Sequence, residues 1–124
     1  MSKHQKFLKR SPRRYEAVTT PLRKIELEVR SLTERETGEF QEACRKYPRC
    51  EVRARYLVLT VVDPDDGRRP LFSDEDVPEI LETDTVETGA LFDAAAALNG
   101  LSDSDVEELE KNSGPTDADA SPSA

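Results

Sequence analysis

Residues 24–30, KIELEVR, alternate strictly: Ile25, Leu27 and Val29 are apolar while Glu26, Glu28 and Arg30 are charged. Period two predicts a strand with one buried face, the clearest strand in the chain. The period then changes. Thr33 followed by Glu36 has capping-box spacing, in which each side chain accepts a hydrogen bond from the other's backbone amide at a helix start. Phe40, Ala43, Cys44 and Tyr47 then share one helical face. Gly38 weakens this helix by about 1 kcal/mol relative to alanine, and Pro48 marks its end.

Residues 51–63, EVRARYLVLTVVD, support two readings. Their β-branched content favours a strand. Their length without turn residues favours a buried helix, with Val52, Tyr56, Leu59 and Val62 at helical spacing. Local rules leave both open.

Beyond them, DPDDG at 63–67 is a turn, and RRPLF continues extended through Pro70. Ser73 with Asp76 opens a helix that carries Pro78 early. Asp84 caps a longer helix. Val86, Ala90, Ala94, Ala97 and Leu98 form its apolar stripe, widened by Leu91, Phe92 and Ala95, and Gly100 supplies a left-handed stop. Ser102 and Asp105 open a last short helix anchored by Val106 and Leu109. Phe72, Leu91, Phe92 and Leu98 are the expected large core residues of an aromatic-poor chain. The two ends lack a sustained apolar period and are too polar to bury a core. The expected organisation is a basic flexible arm at 1–23, a folded unit at 24–112 and a disordered acidic tail at 113–124. There is no internal repeat.

Composition allows only a small core. Of 124 residues, 35% are hydrophobic, 35% are charged and none is Trp, so a partner or self-association would add needed stability. Charge is segregated. Residues 1–24 carry eight Lys/Arg against Glu16 alone, residues 25–62 carry seven of each sign, and residues 63–124 carry three Lys/Arg against eighteen Asp/Glu. The molecule is therefore electrostatically bipolar. No run approaches the ~18 apolar residues of a membrane helix, and the basic N-terminus has no hydrophobic stretch behind it to make a secretion signal.

The chemistry of catalysis is mostly missing from this pattern. Cys44 and Cys50 are spaced neither for zinc nor for redox exchange, and read as free thiols of a reducing cytosol. His4 lies in the arm. There is no phosphate loop, HExxH or GxSxG. DPDDGRRPLFSDED fails as a calcium loop, because Gly67 is the fifth residue and Asp74 the twelfth where glycine belongs sixth and a bidentate Glu last. No catalytic, cofactor-binding or metal-binding residue is expected, and no enzyme. The arm could neutralise phosphates, but only Phe7 and Tyr15 could stack on bases, and the acidic half would repel nucleic acid.

Two stretches, VVDPDDGRRPLFSDEDV and LFDAAAALNGLSDSDVEELEKN, resemble the tail assembly chaperones of long-tailed double-stranded DNA bacteriophages. The resemblance runs over roughly residues 24–112 and leaves out the basic arm. It implies a mainly α fold, a small helical domain with a short N-terminal β element and disordered ends, and it favours helix for residues 52–62. It also implies a non-enzymatic chaperone of the host cytoplasm. Such a protein binds the tape measure protein, keeps it soluble, helps recruit tail tube protein subunits, and is absent from the mature virion. Residues 52–62 hold more apolar surface than so small a domain needs, so part of it is expected to form a groove for a partner helix or a second copy, with Tyr56 and Leu59 as contacts. Two alternatives stay open: a structural tail or head-completion protein, and a small nucleic-acid-binding regulator acting through residues 3–14.

Many members of the resembled family are made in two forms by a one-base backward ribosomal slip. The heptamer A AAA AAC would encode the end of a Glu codon followed by Lys-Asn, and Glu110-Lys111-Asn112 is that tripeptide. The same tripeptide also reads as an ordinary helix end, with Lys111 near the negative helix terminus, and the nucleotides of these codons decide between the two. Codons that cannot form the heptamer move the slip elsewhere.

Overall fold

The structure, a computed structural model, describes residues 2–9 and 12–101. The expected helix from Ser102, the Glu110-Lys111-Asn112 site and the 113–124 tail lie outside these residues.

The capping box expected at Thr33 is formed. Thr33 N–H donates to Glu36 Oε1 at 3.0 Å and Glu36 N–H donates to Thr33 Oγ1 at 3.2 Å. It starts helix α2, Glu34–Lys46, which ends ahead of Pro48 and buries Phe40, Ala43 and Cys44. Pro48 is the N-cap of α3, Arg49–Thr60, so the ambiguous segment is helical for most of its length. It does not stay helical. Thr60 turns its hydroxyl back onto the Tyr56 carbonyl at 2.7 Å, and Val61–Asp63 leaves as strand β3. Both local preferences are thus used in succession.

KIELEVR supplies β2, Glu26–Arg30, with Leu27 and Val29 buried. On one side it pairs antiparallel with β1, Tyr15–Thr19. On the other it pairs antiparallel with β3, which pairs in turn with the two-residue β4, Arg69–Pro70. The sheet order is β1-β2-β3-β4. DPDDG closes the β3–β4 hairpin, with Gly67 at φ 64° and Arg68 at φ 60°. A positive φ carries little steric cost in glycine and a real one in arginine. Arg68 is held by Glu28 at 2.8 Å and lies 4.0 Å over the Tyr15 ring.

The remaining helices follow their caps. Ser73 and Asp76 form the expected box over a 3₁₀ turn, Asp74–Asp76, leading into α4, Val77–Leu81, with Pro78 in its first turn. Asp84 accepts from Val86 N–H and starts α5, Thr85–Leu98. α5 ends with Gly100 at φ 74° and Leu101 N–H donating to Ala96 O at 2.8 Å, a left-handed helix stop. A short α1, Lys3–Leu8, is exposed along its whole length.

Three expectations need correction. The fold is mixed α/β with a four-stranded antiparallel sheet, not mainly α with one short N-terminal β element. Pairing across distant segments made strands of residues that carry little local strand signal. Second, Tyr15–Thr19 belongs to the sheet and not to a flexible arm. Third, the buried face of α5 is Glu87, Leu91, Phe92, Ala95 and Ala96, whereas Val86 and Ala97 are exposed. An alanine-rich helix is apolar on several sides, so its composition does not fix which side turns inward.

The core sits where α3 crosses α2, α4 and α5 beside the sheet. Tyr56 is its centre, with ring centroids 4.6 Å from Phe40 and 5.2 Å from Phe92. Leu91 and Phe92 are buried as expected, while Phe72 and Leu98 are half-buried against the same cluster. Phe92→Ala is expected to destabilise the fold by roughly 3–5 kcal/mol, and Leu98→Ala by clearly less. Urea unfolding of both variants checks the order.

Candidate functional site

A buried carboxylate, Glu87, stands beside an open apolar groove. Glu87, in the first turn of α5, accepts hydrogen bonds from the tip of the β1–β2 hairpin. Leu22 N–H donates to its Oε1 at 2.6 Å and Arg23 N–H to its Oε2 at 3.3 Å. The Arg23 guanidinium stands 3.5 Å away. Burial pushes the Glu87 carboxyl up, but the amides of Leu22 and Arg23, the Thr20 hydroxyl and the Arg23 charge outweigh it and hold it below the usual carboxylate value. Within the tip, Thr20 N–H donates to Ile25 O at 2.9 Å and Ile25 N–H to Thr20 Oγ1 at 3.0 Å. Lys24 takes φ 58° to close it.

The opposite end of α5 is tied as well. Asn99 Oδ1 accepts from Leu32 N–H at 2.8 Å, and its Nδ2 donates to Arg30 O at 3.3 Å and to Ala95 O at 3.0 Å. Arg14 donates to Leu98 O at 3.0 Å. Arg13 makes a two-pronged pair with Glu36 at 2.7 and 2.9 Å and also donates to Ser31 O at 3.1 Å. Glu36 therefore caps α2 and anchors the segment leading into β1. Burial pushes its carboxyl up, yet the Arg13 and Thr33 hydrogen bonds and the charges of Arg13 and Arg30 hold it below its ordinary value.

Between the hairpin tip, the chain after β4, and α4 with α5 lies a half-open groove of about 440 Å³. Ile25, Leu57, Leu71, Phe72, Ile80 and Leu91 make its apolar walls. Leu22, Ile25 and Leu71 are among the exposed large hydrophobic residues of the chain. Its ionisable lining is Asp76, Glu79 and Glu87 against Arg23 alone. Residues 71–87, which supply one side of it, hold seven Asp/Glu and no Lys or Arg. Such a concavity suits an apolar side chain flanked by positive charge.

The residues expected at a binding surface lie elsewhere. Tyr56 is 0% exposed. Its hydroxyl donates to Ala95 O at 3.4 Å, and burial, partly offset by a hydrogen bond with Asn99, pushes its pKa up to about 12. It is a core residue in this structure, so its assignment as a surface contact is corrected: α3 is packed on several sides. Leu59 is half-buried and lines a smaller cleft of about 270 Å³ between α2 and α3. Charged groups rim that cleft, and the Arg55 guanidinium lies 3.9 Å from the Tyr47 ring centroid beside it. Sequence reasoning missed Glu87. Its spacing from Asp84 looks like an ordinary helix cap, which concealed its use as an acceptor for a distant turn.

Among the described residues, no group of three or more His, Cys, Asp or Glu could hold a metal ion, and no helix is long and apolar enough to cross a membrane. Cys44 is buried and Cys50 exposed, with no disulfide between them.

An antiparallel sheet clasped by helices, with an open apolar groove rimmed by carboxylates, makes a small mixed α/β fold. Among solved structures, the bacteriophage HK97 tail assembly chaperone superimposes with a TM-score of 0.59 at 19% identity, covering 82% of this chain and 95% of that one. No family model and no curated protein matches the sequence. The likeness is one of fold, and it bears out the resemblance to phage tail assembly chaperones drawn from the sequence.

A carboxylate whose pKa is lowered on folding contributes stability that is present above its unfolded value and lost as pH falls through the folded one. Glu87→Gln keeps one acceptor but no charge. Its urea midpoint is expected to lie below that of the parent near neutral pH. The gap should close as pH drops through and below the ordinary carboxylate value of 4.5. A gap independent of pH would contradict the role given to the charge.

Proposed function

We propose that this protein is a non-enzymatic phage tail assembly chaperone that binds the tape measure protein, keeps it soluble and helps recruit tail tube subunits. The observation that carries this reading is the fold likeness to the HK97 chaperone, which spans most of both chains. The groove between the hairpin tip, α4 and α5 supports it. A tape measure chain exposes apolar helical stripes before the tube covers it, and a small acidic partner with an apolar groove would mask those stripes in a soluble complex. Burying one leucine-sized side chain is worth about 1.5–3 kcal/mol. In this reading the protein works in the host cytoplasm and is left out of the mature virion.

Co-expression tests it. The tape measure protein of the same phage is expected to be largely insoluble alone and to appear in the soluble fraction, co-purifying with this chain, when the two are made together. Leu71→Asp, which puts a charge in the groove wall, should abolish the rescue. Equal solubility with and without the chain, or detection of the chain in purified virions, would overturn the reading. The second of these outcomes favours a structural tail or head-completion protein.

A further inference from the structure

A second cleft, of about 370 Å³, lies between the start of α3, the end of α4 and the first half of α5. Its apolar walls are Leu57, Ile80, Leu81 and Phe92, and Leu81 is exposed. Its charge is opposite to that of the groove. Arg49 and Arg53 line it, and among the described residues no Asp or Glu does. The Arg53 guanidinium lies 4.4 Å from the centroid of the Phe92 ring. Stacking uses the flat face of a guanidinium, while its five N–H donors lie in the plane, where they meet carboxylates. The cleft therefore suits an apolar side chain flanked by negative charge.

The chain carries such a segment directly after α5. Residues 102–112, SDSDVEELEKN, hold five Asp/Glu against Lys111, with Val106 and Leu109 three residues apart. We propose that this segment docks in the basic cleft of its own chain, Val106 and Leu109 against Leu81 and Phe92 and the carboxylates facing Arg49 and Arg53. The reach suffices. Gly100 takes the chain out of the helix and Leu101 N–H meets Ala96 O, and Ala96 is about one helical turn from Phe92. From Leu101 the eight residues to Leu109 span about 12 Å as helix and at most about 29 Å extended. The groove beside the hairpin tip offers no such match, since Asp76 and Glu79 at its rim repel an acidic segment. The cleft around Leu59 sets Glu39, Glu42 and Asp74 against Lys46 and Arg55, so it has no net positive charge. A docked segment closes the basic cleft to any acidic partner until it is released. The contact does not rest on the chaperone reading.

Cys50 supplies the test. It is exposed and lines the cleft, whereas Cys44 is buried. Iodoacetamide, an uncharged thiol reagent, is applied to the full chain at low protein concentration. Cys50 of the parent is expected to react several-fold more slowly than Cys50 of V106S/L109S or of E107Q/E108Q/E110Q, and the difference should shrink as salt is raised. Cys44 should stay unreactive in all three, which shows that each is folded. Location is read separately on a Leu109→Cys chain. Under mild oxidation it should close a disulfide to Cys50 within one chain, and C50S/L109C should close none. Equal Cys50 rates in the parent and both variants, or a Leu109→Cys disulfide that joins two chains instead of closing within one, would overturn the proposal.

Discussion

The structure depends on how α5 is held along the β1–β2 hairpin. α5 presents small apolar residues on several sides, so its alanines alone do not fix which side turns inward. Polar groups at both ends remove that freedom. Glu87 takes two amides of the hairpin tip, and at the far end Asn99 bridges Leu32, Arg30 and Ala95. A hydrogen bond between neutral groups is individually modest, on the order of 0.5–1.5 kcal/mol. The effect of these bonds is on register. They select one rotation of α5, which puts Leu91 and Phe92 against Tyr56 and leaves Val86 facing out.

The groove is a consequence of the same arrangement. With α5 fixed by its ends, α4 and the chain after β4 pack beside it but do not close over Ile25 and Leu71, and Leu57 and Leu91 are left as lining. The acidic character of residues 71–87 then has two uses. Glu87 turns inward and is satisfied by backbone amides, while Asp76 and Glu79 stay at the rim. One run of like charge thus supplies both a buried structural acceptor and an electrostatic preference for a basic, apolar partner. The opposite charge of the N-terminal segment fits this division: Arg13 and Arg14 are spent on anchoring, and the lysines of α1 stay exposed.

Much of this was legible in the residues. β2 came from strict alternation, α2 and the turn before α4 from their capping boxes, the β3–β4 hairpin from DPDDG, and the end of α5 from Gly100. The likeness to phage tail assembly chaperones came from the order of VVDPDDGRRPLFSDEDV and LFDAAAALNGLSDSDVEELEKN. What stayed hidden depends on partners far along the chain. Tyr15–Thr19 is a strand because β2 offers it an edge, and Val61–Asp63 leaves the helix because β2 offers the other. The groove was placed on α3, because an apolar segment looks the same in sequence whether a core or a partner covers it. Tyr56 shows which: Phe40 of α2 and Phe92 of α5 pack against it, and the open apolar groove lies where shorter elements meet.

In the proposed function, the tape measure protein is received in the groove beside α5. Hydrogen–deuterium exchange on the chain with and without a soluble tape measure segment addresses it most directly, because it reports location as well as binding. The expected result is added protection at the hairpin tip, residues 20–25, and at residues 71–91, with the α2–α3 cleft around Leu59 unchanged. Protection confined to that cleft, or none while the segment is bound, would contradict it.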